Sequence, residues 1–502
     1  MRVSNWDRLG LAVALLAVVL SGAVALRIFE GIPHLEDEFA LLWQAEVMAD
    51  GELYLSSPPA PGSFIVPFVV DHEGRRFGKY PPGWPAALAL GVFAGAHWLV
   101  NPILAGLGVW LIYRLAGRLL PPPLALLAAT LAALSPWLLM LSGSLMSHGL
   151  SLVLAAAFAL TWFDLFVDPE ARASEVPPGL PVALAGGCAG LLVLTRPLTG
   201  VGVLLPFALH GLWMFVRRPT CRRRLMGIAL GGGLVVALLP LWQYALTGDP
   251  WRNPYTLWWS YDRLGFGPGV GPVDGGHSLK LAYVNTRHSL RVGLHDLFGW
   301  PYLSWIFLPF GWWALRRRLG AGLLYAVLPS LILVYIAYWI GAWVLGPRYY
   351  YESLPGLAIA SAAGIGWLGG WLDESARARN QRRLATVAVV ALLLATNVLF
   401  YWPARLGGLH GLYGIAAAPL RSIRSADIEP ALLFVDADHW TEYGNLLPLA
   451  PPYSERELRV VWSQGGASDT RVQVAFPDYQ SFYYEPDQPG VLFRFPPPTW
   501  GR

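Results

Sequence analysis

The stretch WPAALALGVFAGAHW, residues 84–98, decides the topology of the chain. It is apolar enough to enter a bilayer, yet at about 15 residues it falls short of the roughly 17–25 that a crossing helix needs. Taken as a helix lying on the membrane surface, it leaves spans at about 8–27, 100–118, 123–141, 146–166, 181–195, 199–216, 225–246, 300–315, 321–341, 352–371 and 384–402. One face then collects Arg2, Arg8, Arg114, Arg118, the run Arg217, Arg218, Arg222, Arg223 and Arg224, the triplet Arg316 to Arg318, and Arg377, Arg379, Arg382 and Arg383. Basic loops gather on the cytoplasmic side of a membrane protein. Counted as a span, 84–98 would put RRPTCRRR (217–224) outside and basic loops on both faces. The surface reading is therefore preferred, although DPEARASEVPP (168–178), a net acidic segment on the basic face, departs from it.

Composition agrees with a membrane bundle. Of the 502 residues 55% are hydrophobic and 14% charged, against roughly 25% charged in an ordinary soluble domain, and mean hydropathy is +0.45. The long continuous apolar runs exclude a barrel, whose strands alternate. The first run, LGLAVALLAVVLSGAVAL (9–26), follows Arg2 and Arg8 like a secretory signal. It is longer than a signal core and has no A-x-A type site, so it reads as a retained anchor. Two cysteines, Cys188 and Cys221, make no disulfide framework. The net charge of +4 sits in loop arginines, which gives no support to nucleic-acid binding.

The expected architecture is an all-α polytopic membrane protein of about eleven helices, N-terminus inside and C-terminus outside. Residues 1–403 form the membrane module, with exterior loops at 28–99 and 247–299. Residues 404–502 change character: ALLFVDADHW, RELRVVWSQ and TRVQVAF alternate like short strands. They read as a small exterior α/β or β-rich domain.

The exterior loops hold the candidate chemistry. HLEDEFALLWQAEVMADGELY (34–54) reads as a short helix with Glu36, Asp37 and Glu38 in its first turn, Phe39, Leu42, Trp43 and Val47 at helical spacing and Gly51 at the C-cap. The acids either favour the positive end of the helix dipole, at about 0.3–1 kcal/mol, or serve as a base or a hydroxyl ligand. In HEGRRFGKYPPGWP (72–85) Lys79 is one of only two lysines. It is either a solvated loop residue or a point charge for phosphate. GPRYYYESLPG (346–356) is either an interfacial aromatic belt with a snorkelling Arg348 or an anion clamp. Arg196 in VLTRPLTG and His148 in GSLMSHGLS stand at outer turns, where each snorkels or joins the same site. Five such groups on one face make a coincidence stronger than any member. LKLAYVNTRHSLRVGLHDLFGWP (279–301), with His288 and His295, reads as an amphipathic surface helix, since no HExxH or CxxC pattern accompanies it.

In this order, EDEF…WQAEVMADGELY, GKYPPGWP, TRP and PRYYYESLP, the chain resembles the GT-C membrane glycosyltransferases. It is most similar to the protein O-mannosyltransferase-like group, glycosyltransferase family 39, and to the bacterial lipid A aminoarabinose transferases. The resemblance covers most of residues 1–402. It implies an inverting, polyprenyl-phosphate-sugar-dependent glycosyltransferase of the bacterial inner membrane, with its active site facing the periplasm. Asp37 matches the family's catalytic acid, and Glu38 beside it orients the base or the acceptor. Lys79, adjoining Tyr80, matches the lysine of the carrier loop, and Arg348, preceding Tyr349, matches the late arginine; both would hold the carrier phosphate, with Arg196 and His148 completing the substrate site. The implied partners are the lipid-linked sugar donor, the bilayer, and an acceptor that is protein, lipid or polysaccharide. Aminoarabinose-type relatives carry an acid before the lysine where this chain has Gly78, so no tight metal site is expected, and a divalent cation stays open. The rivals are a transporter or flippase of a lipid-linked sugar, for which mid-membrane ionisable groups would be expected, and a non-catalytic envelope-assembly protein.

Overall fold

The structure, a computed structural model, describes residues 4–168, 179–372, 379–426, 428–454, 457–496 and 500. The acidic loop segment 169–178 and Arg2 and Arg377 lie outside them, as does the side chain of Arg379. The chain opens on helix α1 (Asn5–Arg27), whose N-cap Ser4 accepts a hydrogen bond from the Asp7 amide. It packs along Val100–Ala116. The two approach so closely that a Cβ on Gly106 would lie 2.9 Å from the Ala14 carbonyl oxygen.

Helix α2 (Glu36–Ala49) runs as the spacing predicts and ends at Asp50 with Gly51 at φ +83°. It is apolar on two sides. Leu41, Leu42 and Ala45 pack with Trp84 and Leu88 of helix α3 (Gly83–Phe93), while Phe39, Trp43 and Val47 pack with Ile415, Leu433 and Tyr443 of the C-terminal segment. Each large apolar side chain is worth roughly 1.5–3 kcal/mol on burial. That outweighs the dipole effect of any one acid, so packing rather than charge fixes α2.

The stretch that decides the topology is short. At 11 residues, α3 spans about 16 Å, roughly half of a bilayer core. Its outward Leu90 and Phe93 are 74% and 86% exposed, as a helix embedded in an interface requires. The following crossing candidate starts at His97 and ends at Ala116.

Six helices among the described residues are long and apolar enough to cross a membrane: Asn5–Arg27, His97–Ala116, His148–Val167, Pro197–Arg217, Pro219–Thr247 and Asn380–Gly407. Pro122–Ala133 and Pro136–Gly143, bent by 53°, make a seventh if taken together. Other expected spans are shorter or broken. Gly179–Thr195 and Leu319–Tyr335 are shorter apolar helices, and the stretch expected at 300–315 is α-helical only over Leu308–Leu315. Leu279–Asp296 is a helix as expected, with Leu279 and Tyr283 outward.

An antiparallel sheet, absent from the sequence reading, shapes the first exterior loop: β1 (Leu55–Ser56), β2 (Val69–His72) and β3 (Arg75–Gly78), in the order β1-β3-β2. Glu73 and Gly74 join β2 to β3 with φ of +50° and +78°, the geometry of a two-residue hairpin turn. The hairpin delivers Lys79, whose amide donates to the Phe68 carbonyl at 3.0 Å.

The C-terminal segment is α/β. Strands β4 (Ala431–Val435), β5 (Leu458–Trp462) and β6 (Gln480–Tyr484) are parallel in the order β5-β4-β6. TRVQVAF, expected as a strand, instead lies over the helix Gly466–Ala475 and its C-cap Phe476. Parallel neighbours need a crossover, usually helical, and the Asp469 carboxylate, accepting from Ser463 Oγ at 2.5 Å and the Gln464 amide at 3.1 Å, starts it there. The segment rests on the first exterior loop. Tyr453 donates its hydroxyl to the Phe39 carbonyl at 2.8 Å, and the Ala417 amide donates to Glu30 at 2.9 Å.

Candidate active site

Packing of α2 between α3 and the C-terminal segment aims its first turn into a cavity of about 610 Å³. Asp37, Lys79, Tyr80, His148, Arg196, Arg348 and Tyr349 all line it. Asp37 and Arg348, 311 residues apart in sequence, therefore share one space.

Asp37 meets two of the other groups. Tyr80 donates its hydroxyl to Oδ1 at 2.6 Å, and Arg348 Nη1 lies 3.4 Å from Oδ2. Arg348 arrives from a tight turn whose Leu345 and Gly346 both have positive φ. Burial pushes the Asp37 carboxyl up, but the charges of Arg348 and Lys79 and the Tyr80 bond outweigh it and hold it below the ordinary carboxylate range. The side chain keeps 24% exposure toward the cavity. A carboxylate has about four lone-pair sites, so it can still accept a proton from a bound hydroxyl. Burial, and secondarily the Asp37 charge, push neighbouring Glu36 up to about 7. Tyr80 is pushed well up by burial and by Asp37, and so stays a hydroxyl donor.

Glu38 corrects the sequence reading. It is buried and absent from the cavity wall. Its Oε2 accepts the amides of His34 at 2.7 Å and Leu35 at 3.1 Å, and its Oε1 the amide of Leu145 at 2.7 Å. Such a carboxylate caps its helix and ties it to the bundle; it is Glu36 that faces the cavity beside Asp37. Glu38→Ala would strand three buried amides, at about 1 kcal/mol or more each. The expected result is a thermal-unfolding loss of roughly 3 kcal/mol, read by scanning fluorimetry of the purified protein.

Lys79 is neither a solvated residue nor a free cation. Only 3% exposed, its ammonium lies 3.4 Å from Asp262 Oδ2. The rings of Phe68, Trp259 and Tyr255 surround it at 3.5, 4.9 and 5.0 Å from their centroids.

Arg196 and His148 do not snorkel. Arg196 donates to Thr199 Oγ1 at 3.0 Å, Tyr335 at 3.2 Å and Ser147 at 3.4 Å. Its Nη1 also meets His148 Nε2, and its Nε lies 3.9 Å from Glu352 Oε1. Tyr349 stacks on Tyr335 with 4.5 Å between ring centroids. These contacts fix that part of the cavity wall.

Sequence reasoning missed Asp262, Glu352, Tyr255, Tyr335 and Tyr338. The signal for Asp262 was there: in NPYTLWWSYDRLGFG it is the one acid among five aromatic residues. Glu352 stood inside a quoted motif, but nothing local ties it to Arg196.

The residues do not build the metal site that an acid at position 78 would serve. Gly78 donates its amide to Gln44 Oε1 at 2.9 Å. A Cβ there would meet the Ala40 carbonyl oxygen at 3.2 Å and Gln44 Cβ at 3.3 Å. The acid that does lie beside Lys79, Asp262, is taken up by that lysine and by Tyr338 and Trp339. Among the described residues no three His, Cys, Asp or Glu side chains are grouped to hold a metal.

No protein-family model matches the sequence, and no curated protein matches it. Solved structures match its shape over nearly its whole length. ArnT from Cupriavidus metallidurans in the apo state superposes with a TM-score of 0.58 at 14% identity, covering 96% of this chain and 93% of that one. The fold is that of the GT-C membrane glycosyltransferases. ArnT bound to undecaprenyl phosphate matches at 0.56 and 14% identity over 97% and 90% of the two chains. The archaeal oligosaccharyltransferase AglB from Archaeoglobus fulgidus, in complex with an inhibitory peptide and a dolichol-phosphate, matches at 0.52 and 13% over 96% and 70%. The GT-C likeness thus takes in the C-terminal segment as well as the membrane helices.

Proposed function

We propose that this GT-C chain is an inverting glycosyltransferase that moves a sugar from a polyprenyl-phosphate carrier to an acceptor on the periplasmic face of the bacterial inner membrane. The observation that carries the reading is the cavity's mixed lining. Asp37 and the cations Arg348, Lys79 and Arg196 share it with apolar Val193, Leu198, Val201, Leu239 and Trp242 from the apolar helices. A lipid tail has a wall to lie on, and its phosphate reaches the cations. Two of the matching structures hold a polyprenyl phosphate, an undecaprenyl phosphate and a dolichol-phosphate.

The chemistry follows from the groups present. The acceptor hydroxyl gives its proton to Asp37 as its oxygen bonds to the anomeric carbon; the bond from that carbon to the phosphate oxygen breaks, and the phosphate keeps the electron pair. Charge then grows on the phosphate, where Arg348, with Lys79 beside it, offsets it. One carboxylate base and one displacement give inversion, whereas retention would need a second carboxylate as nucleophile. The acceptor, whether protein, lipid or polysaccharide, has to bring its hydroxyl to Asp37, beside Glu36 and Tyr413, which also line the cavity.

The test is transfer by the purified protein in vesicles, with labelled sugars on undecaprenyl phosphate as donors. Label should leave the carrier, with the anomeric configuration inverted in the product by NMR. A wild type that binds no polyprenyl phosphate and moves none of the sugars, or that merely carries the donor across the vesicle, overturns the reading.

A further inference from the structure

Asp262 has no role in the reaction as written, yet it is among the most completely held carboxylates of the cavity. Its side chain is 2% exposed. Oδ1 accepts from Trp339 Nε1 at 3.0 Å and from the Tyr338 hydroxyl at 3.3 Å, while Oδ2 faces Lys79 Nζ at 3.4 Å. Trp339 in turn packs edge-on to Trp259 and Tyr261, at 6.0 and 5.5 Å between centroids. Those rings belong to the same loop that carries Asp262, so the carboxylate has little freedom to move.

Lys79 depends on that partner. An ammonium stripped of water is costly, and attraction to ring faces is weaker than the hydration it replaces. Burial accordingly pushes Lys79 down, and the Asp262 charge is the largest influence that opposes it, ahead of Asp37 and Glu36. The other ionisable groups lining the cavity are Arg263, next to Asp262 in sequence, Arg348 from its turn, Arg196, His148, and the hydroxyls of Tyr80, Tyr255, Tyr335, Tyr338, Tyr349 and Tyr413. The cations and the neutral hydroxyls do nothing to keep a second ammonium protonated.

We propose that Asp262 is a positioning residue that keeps the Lys79 ammonium charged and fixed at the carrier site. The inference rests on reading the cavity as a polyprenyl-phosphate site. In it Asp262 touches no reacting atom. It holds one side of Lys79, leaving the ammonium's remaining donor directions for the phosphate, which adds to the ion pair rather than replacing it. An Asp262→Asn side chain can still accept from Trp339 and Tyr338 but supplies no charge.

The chain has two lysines, Lys79 and Lys280, so lysine-labelled protein gives two side-chain NMR resonances, and Lys280→Arg identifies that of Lys79. In Asp262→Asn the Lys79 titration midpoint is expected to fall by about one pH unit or more, as loss of a close opposite charge implies. Binding of undecaprenyl phosphate, measured above pH 7.5 where the phosphate is already ionised, should begin its alkaline weakening at a lower pH in this variant than in wild type, displaced by the same shift as the Lys79 midpoint. Adding Lys79→Arg, whose guanidinium keeps its charge, should remove the alkaline loss. Equal Lys79 midpoints in wild type and Asp262→Asn overturn the proposal, as does a double variant that keeps the alkaline loss. If the midpoint falls as expected but wild type binds no undecaprenyl phosphate, the Asp262–Lys79 coupling stands while its placement at a carrier site, and the glycosyltransferase reading with it, fail.

Discussion

Asp37→Asn is expected to lower turnover by about 10²–10⁴-fold, the usual worth of a positioned general base, without weakening the carrier's hold. The substitution is close to isosteric, and the amide oxygen still accepts the Tyr80 hydroxyl that Asp37 Oδ1 takes at 2.6 Å. What it removes is the capacity to take a proton and the negative charge 3.4 Å from Arg348. Arg348 is left with its charge uncompensated on that side, so undecaprenyl phosphate should bind as well as to wild type or more tightly. That split, turnover lost and carrier affinity kept, separates a base from a structural acid. A carboxylate serving only as the dipole partner of α2 would cost stability of about 0.3–1 kcal/mol and leave turnover in place. Transfer by Asp37→Asn at the wild-type rate per folded molecule would end the assignment.

The sequence made the cavity's membership legible and its internal contacts not. Asp37, Lys79, His148, Arg196 and Arg348 could be placed on one face because the basic loops orient the whole chain. An orientation argument sorts residues by side of the membrane, and a site confined to one side is within its reach. Pairing within the site depends on angles between helices that hydropathy does not encode. The reading thus gave Lys79 a phosphate and overlooked Asp262, 183 residues away. It also kept Glu38 beside Asp37 at the reaction centre and left Glu36 out. Consecutive helical residues point about 100° apart, so Glu38 turns into the bundle to cap three amides while its neighbour Asp37 opens to the cavity.

The span count fell short for a related reason. Hydropathy sees the apolar run but not its breaks: Ser135 and Pro136 bend one predicted span by 53°, and Pro301 stands before a helix that forms only from Leu308. The small hairpin was hidden in plain view, since VVDHEGRRFG (69–78) has a two-residue turn, Glu73-Gly74, between two four-residue arms.

Arg348→Gln should reduce kcat by about 10²–10³-fold, the range for removing one preorganised electrostatic donor, and should also change how the rate depends on pH. In wild type, burial raises the Asp37 carboxyl and Arg348 is the strongest of the influences that bring it below its ordinary value. The base is therefore ionised throughout pH 5–9, and acid loss in that range does not come from it. Without the guanidinium, burial gains the upper hand over the Tyr80 bond and Lys79. The Asp37 midpoint then rises, and turnover must fall as pH is lowered through it, so the acid limb of the kcat profile moves upward. Arg348→Lys keeps a positive charge on a compact head without the planar fork. It should return the acid limb most of the way toward wild type while recovering only part of kcat. This separates the two duties of Arg348, since the carboxylate next to it responds to charge alone and the leaving phosphate also to geometry. If Arg348→Gln lost carrier affinity but kept both kcat and the wild-type acid limb, Arg348 would be part of the cavity wall and the leaving-group charge would have to be met by Lys79 and Arg196.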